Sequence, residues 1–243
     1  MDALAPIQHT ATYELVVEQI RRVIYLGRYL PGDKLPPERE LAQKLGVSRT
    51  TLREAIRLLE GENLILVKRG ATGGIVVSEQ GISHGPDRQS LTTAQQQALR
   101  EIFEYRLAIE GTAARLAALK RSAAELQAIV EAVDAMDALA AETDASAMRV
   151  AEFTAADTRF HLLIAQAARN RHFVRAVEEI RASMFRPVGS IFERLSEQVN
   201  EHHRPIVEAI AAKDAERAEA LMREHIEVAL RGLARFLPGA APG

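Results

Sequence analysis

Apolar residues recur every three or four positions along most of this chain, and in two short stretches they run consecutively instead. Val16, Val17, Ile20, Val23 and Ile24 make one stripe, which predicts an amphipathic helix over Tyr13–Leu26 with Gly27 as its stop. The segment from Leu30 to Pro36 reads as a turn-bearing connection. A short helix is predicted over Glu38–Leu45, opened by Pro37 and closed by Gly46. Ser48 is then a good N-cap for a helix over Arg49–Leu59. Leu64–Val67 and Ile75–Val77 are β-branched runs joined through Lys68, Arg69, Gly70 and four further small residues, which predicts a hairpin with a basic tip.

The pattern changes near residue 80. Residues 79–93 have the Gly, Ser and Pro content of a linker. From 94 to 237 the chain is Ala-rich, with helical periodicity over about 94–119, 122–141, 145–168, 171–192, 194–212 and 214–236. Residues 238–243 read as a frayed tail. Short connections between helices predict antiparallel neighbours. The expected fold is therefore mostly α: an N-terminal winged helix-turn-helix over 1–78, with a small hairpin as the wing, and an all-α antiparallel bundle over 94–237.

Composition narrows the function more than the fold. A length of 243 residues suits two domains, and 47% hydrophobic content is enough for packed cores. With no cysteine there is no thiolate nucleophile, disulfide or Cys-ligated zinc. No apolar run is long enough to span a bilayer, and residues 1–30 carry no signal peptide, so a cytoplasmic protein without membrane partners is expected. Net charge is −2, but its distribution is uneven: 11 basic against 9 acidic residues up to Ser78, and 20 against 24 beyond it. Any affinity for phosphate must come from local clusters in the first part.

Such a cluster stands at the predicted helix-turn-helix. The second helix of such a unit enters the major groove by its first turn, and here that turn carries Ser48, Arg49, Thr50 and Thr51, with Arg53 following. Arginine can bond guanine O6 and N7 together, and threonine can meet a thymine methyl or a phosphate. Arg39 on the preceding helix and Lys68 and Arg69 on the hairpin tip are placed to reach the backbone or an adjoining groove. The run from Pro31-Gly32-Asp33-Lys34-Leu35-Pro36-Pro37-Glu38-Arg39-Glu40-Leu41-Ala42 through Gly46-Val47-Ser48-Arg49-Thr50-Thr51-Leu52-Arg53-Glu54-Ala55 resembles the winged-helix domain of the GntR regulator family. That resemblance implies base or phosphate contacts for Arg39, Arg49 and Arg53, base or backbone contacts for Ser48 and Thr50, and a wing tip at Gly70. Thr51 stands where proline is common in the family.

A second constellation lies in the helical part. Phe153, Asp157, His161, Ile164 and Ala168 fall at spacings of four, four, three and four, which puts Asp157 and His161 on an apolar face. A carboxylate there needs a partner. His225 borders the stripe of Ala218, Leu221, Met222 and Ala229, and both His202 and His203 flank that of Val199, Ile206 and Ile210; periodicity does not choose between these two. One Asp and three His suit a divalent ion, zinc foremost, with nickel, iron and manganese as alternatives. Arg106 also sits on a core stripe, with Leu99, Ile102, Ile109, Ala113 and Leu116. Either it forms an internal ion pair with Glu110, or it faces the cavity as a carboxylate receptor. Asn170 is a further candidate for the cavity lining.

Asp157 with Phe160-His161, Glu201-His202-His203 with Ile206 and Ala209-Ile210, and His225-Ile226 resemble the FCD effector domain of the FadR-type GntR subgroup. The resemblance selects His203 over His202 and implies Asp157, His161, His203 and His225 as the ligand set of the metal-bearing branch. It also makes acyl-CoA a poor effector and a small organic acid a good one, contacting Arg106 and Asn170. The expected protein is a DNA-binding regulator, a repressor by family habit, acting as a homodimer on a palindromic double-stranded operator. A metal hydrolase is a rival because an open site can activate water, yet no general base stands beside the ligands. A sensor of the ion itself is a second rival, against which the stripe position of Arg106 speaks.

Overall fold

The computed structural model describes residues 10–70, 73–79, 92–141, 146–188 and 200–234. Most of the expected linker, the whole tail, and residues 189–199 of the fourth and fifth expected bundle helices lie outside the described residues.

The head is built from α1 (Thr12–Tyr25), α2 (Glu38–Leu45), α3 (Arg49–Gly61) and the antiparallel pair β1 (Ile65–Lys68) and β2 (Gly74–Val77). The apolar stripe of α1 packs with Leu41, Leu52, Ala55, Ile56 and Leu59 against Leu64, Ile65, Ile75 and Val77. Gly46 ends α2 at φ +66°, a left-handed conformation that glycine adopts without a Cβ penalty. The register pairs Ile65 with Val77 and Lys68 with Gly74, putting Lys68, Arg69 and Gly70 at the exposed tip. The connection before α2 holds more than the expected turn. Leu35 N donates to Ile75 O and Val77 N donates to Asp33 O, both at 2.9 Å, so this segment lies along β2 as a third, very short strand-like edge.

The bundle consists of α4 (Thr93–Lys120), α5 (Ala123–Ala140), α6 (Ala147–Ala167), α7 (Arg171–Val188), α8 (His203–Ala211) and α9 (Ala215–Ala234), with one 3-10 turn over Asn200–His202. Thr92 with Gln95, and Ser122 with Glu125, form capping boxes that start α4 and α5. The small residues Ala113, Ala114, Ala117 and Ala118 let α9 lie close along α4, and at Gly111 a Cβ would come 2.9 Å from the Arg223 side chain. Not every short connection makes neighbours: α4 and α5 scarcely touch, because extended backbone at Arg121 (ψ 142°) turns the chain away, and α5 packs on α6 and α8.

Among the described residues, contacts of α1 and the turn after it tie the head to the bundle. Arg22 of α1 bonds Glu178 of α7 at 2.9 Å, and Gly27 (φ +66°), just past α1, is pressed so closely on α6 that a Cβ there would lie 2.3 Å from Ala155 Cβ. No helix of the described residues is long and apolar enough to cross a membrane.

Candidate metal centre and nucleic-acid interface

Five helices converge on one buried polar cluster. Asp157 and His161 stand one turn apart on α6, His203 opens α8, and His225 projects from α9. The three imidazoles are at most 2% exposed. One ligand atom from each of the four residues can be chosen so that all lie within 4.8 Å of one another. Asp157 Oδ1 is 3.1 Å from His203 Nε2 and 3.4 Å from His161 Nε2, and His225 Nε2 is 3.3 Å from His161 Nε2. Neighbouring donors bound at about 2.0–2.1 Å stand about 2.9 Å apart around an octahedral ion and about 3.3 Å apart around a tetrahedral one, so the spacing fits a first-row divalent ion of either geometry. His202, half-buried on the 3-10 turn, is not one of the four.

The protonation states fit as well. Burial pushes His203 below the ordinary histidine range, and burial together with the neighbouring His203 and His161 pushes His225 further down, leaving neutral rings with lone pairs to offer. Burial alone would raise Asp157, but Arg181, His161 and the hydrogen bonds it accepts outweigh that and keep it ionised. Phe160 closes one side, its ring edge-on to His161 and His203 at 5.3 and 4.9 Å between centroids.

Around the ligands stands a second ring of charge. His161 Nδ1 lies against Glu110 Oε2, which leaves its Nε2 for the centre, and Arg106 Nε donates to Glu110 Oε1 at 2.7 Å. Burial would raise Glu110 too, yet Arg106 and His161 hold it well below the usual carboxylate range. Of the two alternatives for Arg106, the structure shows the ion pair with Glu110. Its terminal nitrogens bond no described residue, and its guanidinium carbon lies 5.1 Å from the Phe103 ring centre. The side-chain oxygen of Asn170 accepts from His172 N at 3.0 Å and starts α7.

Arg181 of α7 escaped the sequence reading. It is 3% exposed, pairs with Asp157 Oδ2, and donates to Thr158 Oγ1 from Nε and Nη2 at 3.2 and 3.0 Å. The signal was legible, since Val174, Val177, Arg181 and Met184 follow a three-four-three rhythm like the one that singled out Arg106.

In the head, Ser48 caps α3, its Oγ accepting from Thr51 N at 3.1 Å, so the hydroxyl is committed to the turn. Arg39, Arg49, Thr50, Arg53, Lys68, Arg69 and Gly70 are all exposed. Glu38 holds Arg53 at 2.9 Å and stands 4.0 Å from Arg49, which keeps both guanidinium groups over the start of α3. Gly70 at φ +104° needs the freedom of glycine to turn the wing.

Comparison with known proteins agrees with this architecture. Residues 12–77 match the model of the bacterial regulatory proteins of the gntR family, and residues 101–228 match the FCD domain. The chain is 31% identical to the Uxu operon transcriptional regulator of Escherichia coli over 92% of its length and 87% of that protein's. It is 29% identical to the Glc operon transcriptional activator of the same organism, over 90% and 88%. Among solved structures, E. coli McbR/YncC shares the fold at a TM-score of 0.55 and 19% identity, over 94% of this chain and 98% of that one.

Proposed function

Because the chain belongs to the GntR family of transcription regulators and carries that family's FCD domain, we propose that its hold on DNA is set by a small organic acid bound at a divalent ion in the bundle. It is a regulator rather than an enzyme. Asp157, His161, His203 and His225 would hold the ion, zinc foremost; the ion would supply Lewis acidity for an anionic oxygen.

The observation that carries the acid is the charge balance of the site. Arg106 and Arg181 offset Glu110 and Asp157, so the formal charges of these four side chains cancel around the ligand set. A divalent ion then leaves two positive charges buried. An anion on its open positions removes that cost. The terminal nitrogens of Arg106 would supply a planar fork for the remaining carboxylate oxygen.

On the DNA side, Arg39, Arg49, Thr50 and Arg53 would read or grip the major groove, Ser48 would meet the backbone through its own main chain, and Lys68, Arg69 and Gly70 would follow the adjoining phosphates. A homodimer on a palindromic operator matches one head to each half-site. The link between sites would run through α6 and α7. These helices hold Asp157 and Arg181, and they also bear Ala155 and Glu178, on which the head rests. Acid binding that shifts them would alter the seating of the head, and operator binding would alter acid affinity by the same factor. Repression relieved by the acid is the proposed direction.

Fluorescence anisotropy on DNA from upstream of the protein's own gene tests this, using zinc-loaded and chelator-stripped protein with acetate, lactate and citrate as probes. One zinc per chain is expected, lost in His203→Ala and kept in His202→Ala, with at least one acid weakening operator binding only when zinc is present. Equal zinc in the two variants would refute the ligand set. Operator binding insensitive to every acid would refute the effector class, and tighter binding would reverse the direction.

A further inference from the structure

The two oxygens of Asp157 have different surroundings. Oδ1 faces His203 Nε2 and His161 Nε2 at 3.1 and 3.4 Å. Oδ2 is turned the other way, against Arg181. Arg181 is almost wholly buried and has little freedom to follow a rotation of the carboxylate, because Nε and Nη2 both bond Thr158 Oγ1. Thr158 is itself fully buried and follows Asp157 on the same turn of α6.

We propose that Arg181, aligned by Thr158, is a positioning residue that restricts Asp157 to a single metal-binding oxygen and so keeps a coordination position open for the effector. This rests on the metal-site reading above. Three imidazole nitrogens and one carboxylate oxygen make four donors, and nickel, iron, manganese and cobalt readily take five or six. If Asp157 turned to offer both oxygens, the second would occupy a place that an incoming carboxylate needs. Affinity for the ion does not explain the arrangement, since a fixed guanidinium beside a divalent cation is repulsive. Charge neutralisation of a buried carboxylate explains the cation, and an ammonium would supply that equally. The guanidinium meets Oδ2 through Nη2 while Nε and Nη2 together grip Thr158 Oγ1, a planar two-nitrogen anchorage that an ammonium lacks.

Cobalt(II) in place of the native ion makes the coordination visible in its absorption spectrum, with acetate as the probe for the open position. The full chain is compared with Arg181→Lys, which keeps the charge and loses the fork, and with Thr158→Val, which keeps the shape and loses the acceptor. The parent is expected to take up one cobalt per chain and to show an acetate-dependent spectral change. Both variants should still take up cobalt, with a spectrum shifted toward higher coordination number and the acetate midpoint raised by about tenfold or more in Arg181→Lys. A parent-like spectrum and acetate midpoint in both variants would overturn the proposal. So would loss of cobalt from both while they remain folded by circular dichroism, since Arg181 would then serve affinity. A parent that takes up no cobalt overturns the metal-site reading itself, before any variant is compared.

Discussion

Arg106→Met tests whether the ion pair with Glu110 is what orients the metal centre. Both partners are 2% exposed, and Arg106 Nε lies 2.7 Å from Glu110 Oε1. Removing the guanidinium leaves a buried carboxylate with His161 as its main partner, and breaking a buried pair from one side costs about 3–5 kcal/mol. Against a total stability of about 5–15 kcal/mol, that is a large fraction. A second effect follows through Glu110, which holds His161 by Nδ1; a loosened supporting carboxylate lowers metal affinity by about 10–100-fold. The double variant Arg106→Met with Glu110→Leu separates the two. Replacing the whole pair by apolar groups is near neutral for stability, but His161 still lacks its acceptor, so stability should recover while metal affinity stays low. Urea unfolding of chelator-treated protein and competition with a chromophoric chelator read the two quantities. A double variant no more stable than Arg106→Met, or Arg106→Met with parental metal affinity, would refute the reasoning. Arg106 would then act on the cavity without Glu110 as intermediary.

Arg49→Ala and Arg53→Ala should each lose about 1–3 kcal/mol of operator binding in a titration against random DNA, if they read bases; an equal loss on both DNAs assigns them to phosphates. Gly27→Ala should cost about 1 kcal/mol from its left-handed backbone alone, and the contact with Ala155 should force the head away from the bundle. Operator affinity that still responds to effector as in the parent would sink the proposed route through α6. Metal-free protein should melt at lower temperature as pH falls from 7.5 to 5.5. His203 and His225 are held below their ordinary value when folded, so the unfolded chain takes up protons below about 6.5 that the folded chain refuses. Asp157 and Glu110, held low, keep their contribution until pH falls below about 4. Thermal melts that are flat or rise over that interval would contradict the burial argument.

Local pattern carried the reading of this chain a long way. The helices follow from apolar spacing, the turn at Gly46 and the cap at Ser48 from local backbone chemistry, and the inward-facing positions of Asp157, His161 and His225 from the apolar stripe of each one's own helix. These are interactions among residues close in sequence, so spacing encodes them directly. Tertiary packing decided the rest. His202 and His203 flank the stripe alike, and only the way α8 packs on α4, α5 and α9 turns His203 into the cluster. The role of Arg106 depended on whether His161 would arrive beside Glu110, which the spacing within α4 cannot state. Arg181 and Asp157 are 24 positions apart and meet because α7 folds back against α6. The edge at Leu35 lacked a strand signal because its hydrogen bonds belong to β2, some forty residues on. A pattern can report that a charge is buried; its partner is set by which helices the apolar faces bring together, because a buried charge stands only where another element supplies its complement.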